Sequence, residues 1–161
     1  MMKPPLLQPA SEEPREMATL IFRIFFSLIF ILLGGEHLFR DNLIEQMIPS
    51  WLGSPRAWSV LTGLMILAGG GSILFGAFTR LGAWLLITFL VPVTLLVHVT
   101  SIGHYPDGLD ERFRWLWDVY HQGSLVKNLS LIGGAIYFAF HGAGKFSVDR
   151  WLVPKAGPQS T

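Results

Sequence analysis

Cysteine is absent from these 161 residues, which excludes disulfides, thiolate metal ligands and thiol redox relays. Charge is scarce too: 14% of residues are Asp, Glu, Lys or Arg, and the formal net charge is +1. A nucleic-acid-binding protein needs a clustered basic face, so that class is excluded. There is no binding fingerprint for flavin or nicotinamide and no cysteine framework for an iron–sulfur cluster, so no intrinsic redox cofactor is expected. The first 16 residues, MMKPPLLQPASEEPRE, lack the basic start, apolar middle and small-residue cleavage site of a signal peptide. Their four prolines and mixed charges read as a disordered tail, as do residues 153–161.

What the chain has in excess is apolar residues. They make up 51% of it, with a mean hydropathy of +0.47, more than one soluble core of this size needs. Each bilayer span takes about 20 residues, and four fit: about 17–39, 57–78, 81–102 and 124–141. The fold expected is therefore all-α, an integral membrane four-helix bundle over 17–152. In the first three spans apolar residues occur on every face, as expected where lipid replaces water. Thr79-Arg80 leaves so short a turn that spans two and three are antiparallel neighbours. The longer connections, 40–56 and 103–123, hold most of the polar side chains at the end opposite the termini. Two pieces of them, 43–52 and 110–123, read as short interfacial helices.

Lys3, Arg15, Arg80, Lys145, Arg150 and Lys155 flank the terminal side, and Arg40, Arg56, Arg112 and Arg114 the other. The positive-inside rule then puts both termini in the cytoplasm. All six tryptophans fall at span ends, where an interfacial belt would hold them. Small residues spaced by four, Ala68, Ser72 and Gly76 on span two and Ser130 and Gly134 on span four, mark packing seams within the bundle, or alternatively a homo-oligomer face. Pro92 removes an amide in the middle of span three and should bend it.

Polar residues inside such a chain carry the functional question. Arg23 lies about six residues into span one, shallow enough to reach the terminal surface and form a structural clamp with Ser147 or Asp149. At the opposite end, His37, His98, His104 and His121 gather, with Glu36, Glu111 and Asp118 near them. Imidazole binds metals, shuttles protons and hydrogen-bonds carbonyls. No HxxxH or HxxE pair lies on one helix, so no metal site is expected. Two readings remain. Glu36, His37, His98, Asp118, His121 and Lys127 form a quinone or proton-relay site, or they serve structure: His37 bonding C-terminal carbonyls, Glu36 pairing with Arg40 four residues on. Lys127, read as the start of the last helix, opposes the dipole there and calls for an acidic partner, Asp118 or Glu111.

One combination of features resembles a known family. Arg23, the Gly-x-x-His of Gly34 to His37, MIPSWLGSP (47–55), FGAFTRLGA (75–83) and KNLSLIGGAIYFAFHGAGKFSVD (127–149) together resemble the DoxX family of small four-helix membrane proteins. The resemblance implies a bacterial or archaeal cytoplasmic (inner) membrane protein with both termini inside. It also implies a role beside quinone-linked redox assemblies, such as the small subunit of thiosulfate:quinone oxidoreductase, or membrane oxidoreductase complexes for oxidative stress. Many members carry a glutamate three residues before the Gly-Gly of span two; here Ile66 or Leu67 stands in its place. The functional expectation is an accessory subunit of a quinone-linked oxidoreductase assembly, rather than an independent catalyst. The alternative is a stand-alone small-molecule or lipid carrier, or a membrane scaffold or chaperone without redox chemistry.

Overall fold

A computed structural model describes residues 11–39, 44–45, 48 and 50–152. It contains four long helices and one short one: α1 (Glu12–Phe39), α2 (Pro55–Phe75), α3 (Thr79–Val93), α4 (Arg114–His141) and α5 (Val148–Leu152). A π-helical turn, Thr94–Val99, prolongs α3, and no strand occurs among the described residues. Four segments are long and apolar enough to cross a membrane: Glu12–Phe39, Pro55–Phe75, Thr79–Val99 and Glu111–His141. The protein is an all-α, four-span membrane bundle, as the sequence predicts.

Two boundaries differ from the sequence reading. Residues 12–16, expected in the tail, begin α1, where Glu12 and Glu13 in the first turn favour the positive end of the helix dipole. The expected interfacial helix at 110–123 is not separate. After a 3₁₀ turn at Glu111–Phe113, α4 starts at Arg114 and continues unbroken to His141, about 42 Å at 1.5 Å per residue. That exceeds a hydrocarbon core of about 30 Å, so its first turns stand clear of the apolar layer. Residues 1–10 of the predicted tail, the tail 153–161, Arg40 of the expected Glu36–Arg40 pair and residues 43, 46, 47 and 49 of the segment 43–52 lie outside the described residues, and Ser50–Leu52 of that segment form a 3₁₀ turn.

Neighbouring helices pack in chain order, α1 on α2, α2 on α3, α3 on α4. Glycines set the approach. A Cβ on Gly63 would stand 2.8 Å from His37 Cβ, and one on Gly82 would stand 2.5 Å from Ser72 Cβ. Gly69 faces α3 and Gly70 faces α1, while Gly71 meets nothing within 4 Å, so the triple glycine serves two contacts in an unbroken helix. Of the predicted stripe, Ser72 and Gly76 make contacts within the chain and Ala68 is exposed; Gly134 packs on Phe26 while Ser130 is exposed. The seam between α1 and α4 is closed by rings: Phe22 stacks on Phe138 at 5.0 Å, and Phe26 lies 5.3 Å from Phe138. Phe30, Ile66, Ile73, Leu86, Leu90 and Phe138 form the apolar middle of the bundle.

Candidate functional site

Polar groups are buried at both ends of this bundle, and the two ends differ in kind. At the end where α1 begins, Arg23 is 4% exposed. Its guanidinium donates to Ala143 O at 3.0 Å and Phe146 O at 2.7 Å, tying α1 to the segment after α4. Asp149 reaches the other way. Its carboxylate accepts from Phe78 N at 2.6 Å and Thr79 N at 2.9 Å, the first amides of α3, while its own amide donates to Gly76 O at 2.7 Å. Residue 78 at this terminus is a phenylalanine at φ 53° with no side-chain cap, so Asp149 caps the helix from 70 residues away. Gly76 is fixed twice over, by φ 65° and because a Cβ there would stand 2.6 Å from Ser147 Cβ and 2.7 Å from an Arg23 nitrogen.

The expected partners of Arg23 are Ser147 and Asp149, and its hydrogen bonds go instead to the Ala143 and Phe146 carbonyls. Arg23 and Asp149 bind the same junction and act on each other through space, but each spends its hydrogen bonds on backbone. Ser147 stays local: its hydroxyl donates to Gly144 O and accepts from Arg150 N, starting α5. Burial alone would raise the Asp149 carboxyl, yet the Thr79 and Phe78 hydrogen bonds and the charge of Arg23 outweigh it and hold Asp149 below the ordinary carboxylate value.

At the opposite end the sequence candidates divide. His98, at the end of the π turn, and His121, on α4, are buried and face each other, Nδ1 to Nδ1 at 3.1 Å. One ring must donate through Nδ1–H and the other accept. The two Nε2 atoms of the pair then differ, one bearing a proton and one a lone pair, and exchanging the tautomers exchanges those roles. His121 is 1% exposed and its Nε2 is buried with no partner among the described residues. Trp117 lies 4.5 Å away, ring to ring, its indole N–H on Ser101 O at 2.9 Å. Asp118 accepts from Gly103 N at 3.0 Å and from the Tyr105 hydroxyl at 2.8 Å, which folds the 103–110 loop onto α4. That hydrogen bond holds the Tyr105 phenol above its ordinary value. Val97, Ser101, His104, Tyr105, Trp117 and His121 enclose a pocket of about 280 Å³.

A turn below, Asn128 donates to Thr94 Oγ1 at 3.0 Å, and that hydroxyl donates to Leu90 O at 2.6 Å, so buried polar groups continue inward along the α3–α4 seam as far as Thr94. This is where Pro92 and the π turn widen the helix, a local feature frequent at functional sites.

Three candidates stay outside this group. His37 bonds the carbonyl of Leu33 through Nδ1 at 2.8 Å, its ring meets the edge of Phe89, and its carbonyl accepts from the Ser59 hydroxyl at 2.9 Å. Glu36 is exposed on α1. Lys127 does not start a helix, since α4 begins at Arg114, and neither predicted acid reaches it: Asp118 is taken by Gly103 and Tyr105, and Glu111 pairs with Arg114 at 3.2 Å. It lies exposed on α4, near enough to act on His98 electrostatically. Tyr105, Trp117 and Thr94 were not singled out from sequence as site residues. The available signals were the four-residue spacing of Trp117 and His121 and the position of Thr94 directly after Pro92.

Comparison with known proteins agrees with this architecture. The DoxX family profile matches residues 18–99, from α1 through the π turn. Inner membrane protein YqjF of Escherichia coli (strain K12) is 26% identical over 140 residues, which is 87% of this chain and 95% of that protein. No solved structure matches. With half of its length matched by that profile and four spanning helices in the expected order, the chain belongs to the DoxX family.

Proposed function

We propose that this DoxX protein is an inner-membrane subunit of a quinone-linked oxidoreductase assembly, and that the pocket beside His121 is where a quinone headgroup docks. The observation that carries the reading is a buried imidazole nitrogen, His121 Nε2, left without a partner next to a ring-sized pocket. An unsatisfied buried polar atom costs about 1–3 kcal/mol, which a polar group bound in the adjoining pocket would relieve. A cavity of about 150 Å³ holds benzene, and about 280 Å³ holds one substituted ring. Trp117 and Tyr105 supply aromatic walls, and His121 supplies either a donor or an acceptor for a carbonyl or hydroxyl. A bound quinone would supply two-electron, two-proton chemistry. A proton taken up at the bare Nε2 of one imidazole sends that ring's Nδ1 proton across the 3.1 Å contact, and the second imidazole releases its Nε2 proton, which exchanges the tautomers. The electron carrier belongs to a partner protein. Both termini lie in the cytoplasm in this reading, so the pocket opens on the outer face, and the E. coli relative is named an inner membrane protein.

The test is quinone binding to the purified protein, followed by Trp fluorescence, together with quinol-dependent turnover in native membranes. His121→Ala is expected to weaken both at least tenfold, and His37→Ala to leave them unchanged. Equal binding by the parent and His121→Ala would overturn the assignment.

A further inference from the structure

A larger cavity than the His121 pocket lies at the other end of the molecule. Between the start of α1, the α2–α3 turn and the loop after α4 runs a groove of about 1540 Å³, well above the roughly 300–1000 Å³ of ordinary small-ligand sites. It is amphipathic. Ala18, Phe22, Leu81 and Tyr137 line it on the apolar side, continuous with the α1–α4 seam that rings rather than backbones close. Its rim carries Arg15, Arg80, Lys145 and Arg150. Among the described residues, Arg15, Lys145 and Arg150 have no carboxylate within ion-pair distance, and Arg80 has only the Phe140 carbonyl at 3.4 Å.

Three carboxylates share the rim, and two are turned into the wall. Glu16 Oε2 accepts from Lys145 N at 2.5 Å, and Asp149 caps α3 above the buried charge of Arg23. Only Glu12 is left without such a bond. Four cations and three carboxylates line the groove, an excess of one positive charge, and with two of those carboxylates turned into the wall the rim presents its cations.

We infer that this groove is a binding site for one anionic phospholipid, its phosphate held by Arg15, Lys145 and Arg150 and an acyl chain laid along Phe22 and Tyr137. Charge complementarity selects the headgroup, because a cluster of exposed cations without carboxylate partners at the edge of the apolar layer favours a phosphate. Continuity of the apolar wall with the lipid-facing seam selects a lipid over a soluble phosphate. The site is independent of the quinone reading, sharing no residue with the His121 pocket.

The experiment is native mass spectrometry of the full chain in mild detergent, titrated with phosphatidylglycerol or with phosphatidylcholine of identical acyl chains. One retained phosphatidylglycerol per chain is expected, at least tenfold tighter than phosphatidylcholine and weakened by salt. Removing a rim cation should cost about fivefold in affinity. Arg15→Gln with Arg150→Gln should therefore lose most of the preference, Arg15→Lys with Arg150→Lys should keep it, and His121→Ala should leave it intact. Equal retention of the two lipids by the parent would overturn the site, whatever the variants do. An undiminished preference in a folded double-Gln variant would overturn it too, as would inorganic phosphate competing at the same concentration as the lipid.

Discussion

Replacing Asp149 by Ala removes both acceptors that cap α3. Each bond, from Phe78 N at 2.6 Å and Thr79 N at 2.9 Å, ends on a charged oxygen, and bonds of that class contribute about 1.5–3 kcal/mol where they are kept from water. Loss of an ordinary helix N-cap costs about 0.5–2 kcal/mol. Asp149 is partly buried, and water can replace part of what is lost, so the expected destabilisation is about 2–4 kcal/mol. Asp149→Asn keeps one acceptor and should cost about half as much. The assay is reversible unfolding in mixed micelles, followed by circular dichroism. The same protein should show the effect in its pH profile. Asp149 titrates lower in the folded chain than when unfolded, so its contribution is present above the unfolded value and is lost as pH falls through the folded one. The parent should therefore lose stability on acidification below about pH 4, and Asp149→Asn should lack that component. A change below about 0.5 kcal/mol in Asp149→Ala would place it among neutral surface substitutions and refute the cap.

The triple glycine gives a second test at three adjacent positions. Gly69→Ala and Gly70→Ala drive a methyl to 2.7 Å from Leu86 and from Phe30, and each should cost about 1–3 kcal/mol in the same unfolding assay, whereas Gly71→Ala, facing open space, should be neutral or stabilising. Ultraviolet titration should show a tyrosine ionising above the ordinary value. Tyr105→Phe removes that component, and Asp118→Asn brings it back down, because the hydrogen bond to the carboxylate is its main cause. Asn128→Leu leaves the Thr94 hydroxyl without its donor and should loosen the loop end, seen as faster amide exchange around the π turn.

Span number and order were legible in the sequence because an apolar run long enough for a bilayer has few other uses, and Thr79-Arg80 is too short to do more than turn the chain back. That Arg23 needs acceptors was legible, since a charge on an otherwise apolar helix must find oxygen nearby. Its true acceptors, two backbone carbonyls, leave no mark in side-chain chemistry. The start of the fourth helix was misread because Trp115, Asp118 and His121 interrupt the apolar run, and hydropathy reports where lipid begins, not where backbone hydrogen bonds begin. Lys127 was misplaced by the same error, and the dipole argument built on it went with it. Within the histidine group, sequence gave the depth of each ring but not its azimuth. His37 and His98 have comparable positions along their helices, yet only His98 meets His121, because the π turn and the α3–α4 packing orient it there.

The arrangement of the two ends also constrains mechanism. Polar groups descend from the His121 pocket only as far as Thr94 and Asn128, and the other end rises from the Arg23 junction no further than Ser27. Between them stand Phe30, Ile66, Leu86 and Leu90, each at most 2% exposed and without a polar atom in the side chain. A proton needs a chain of donors and acceptors, and no buried side chain among the described residues supplies one across this layer. Under the proposed function the histidine pair therefore exchanges protons at a single face of the membrane. A polar substitution in that layer, such as Leu86→Asn, should destabilise the fold without opening conductance, because one added side chain cannot bridge it. Proton leak through vesicles carrying the parent protein would contradict the argument directly.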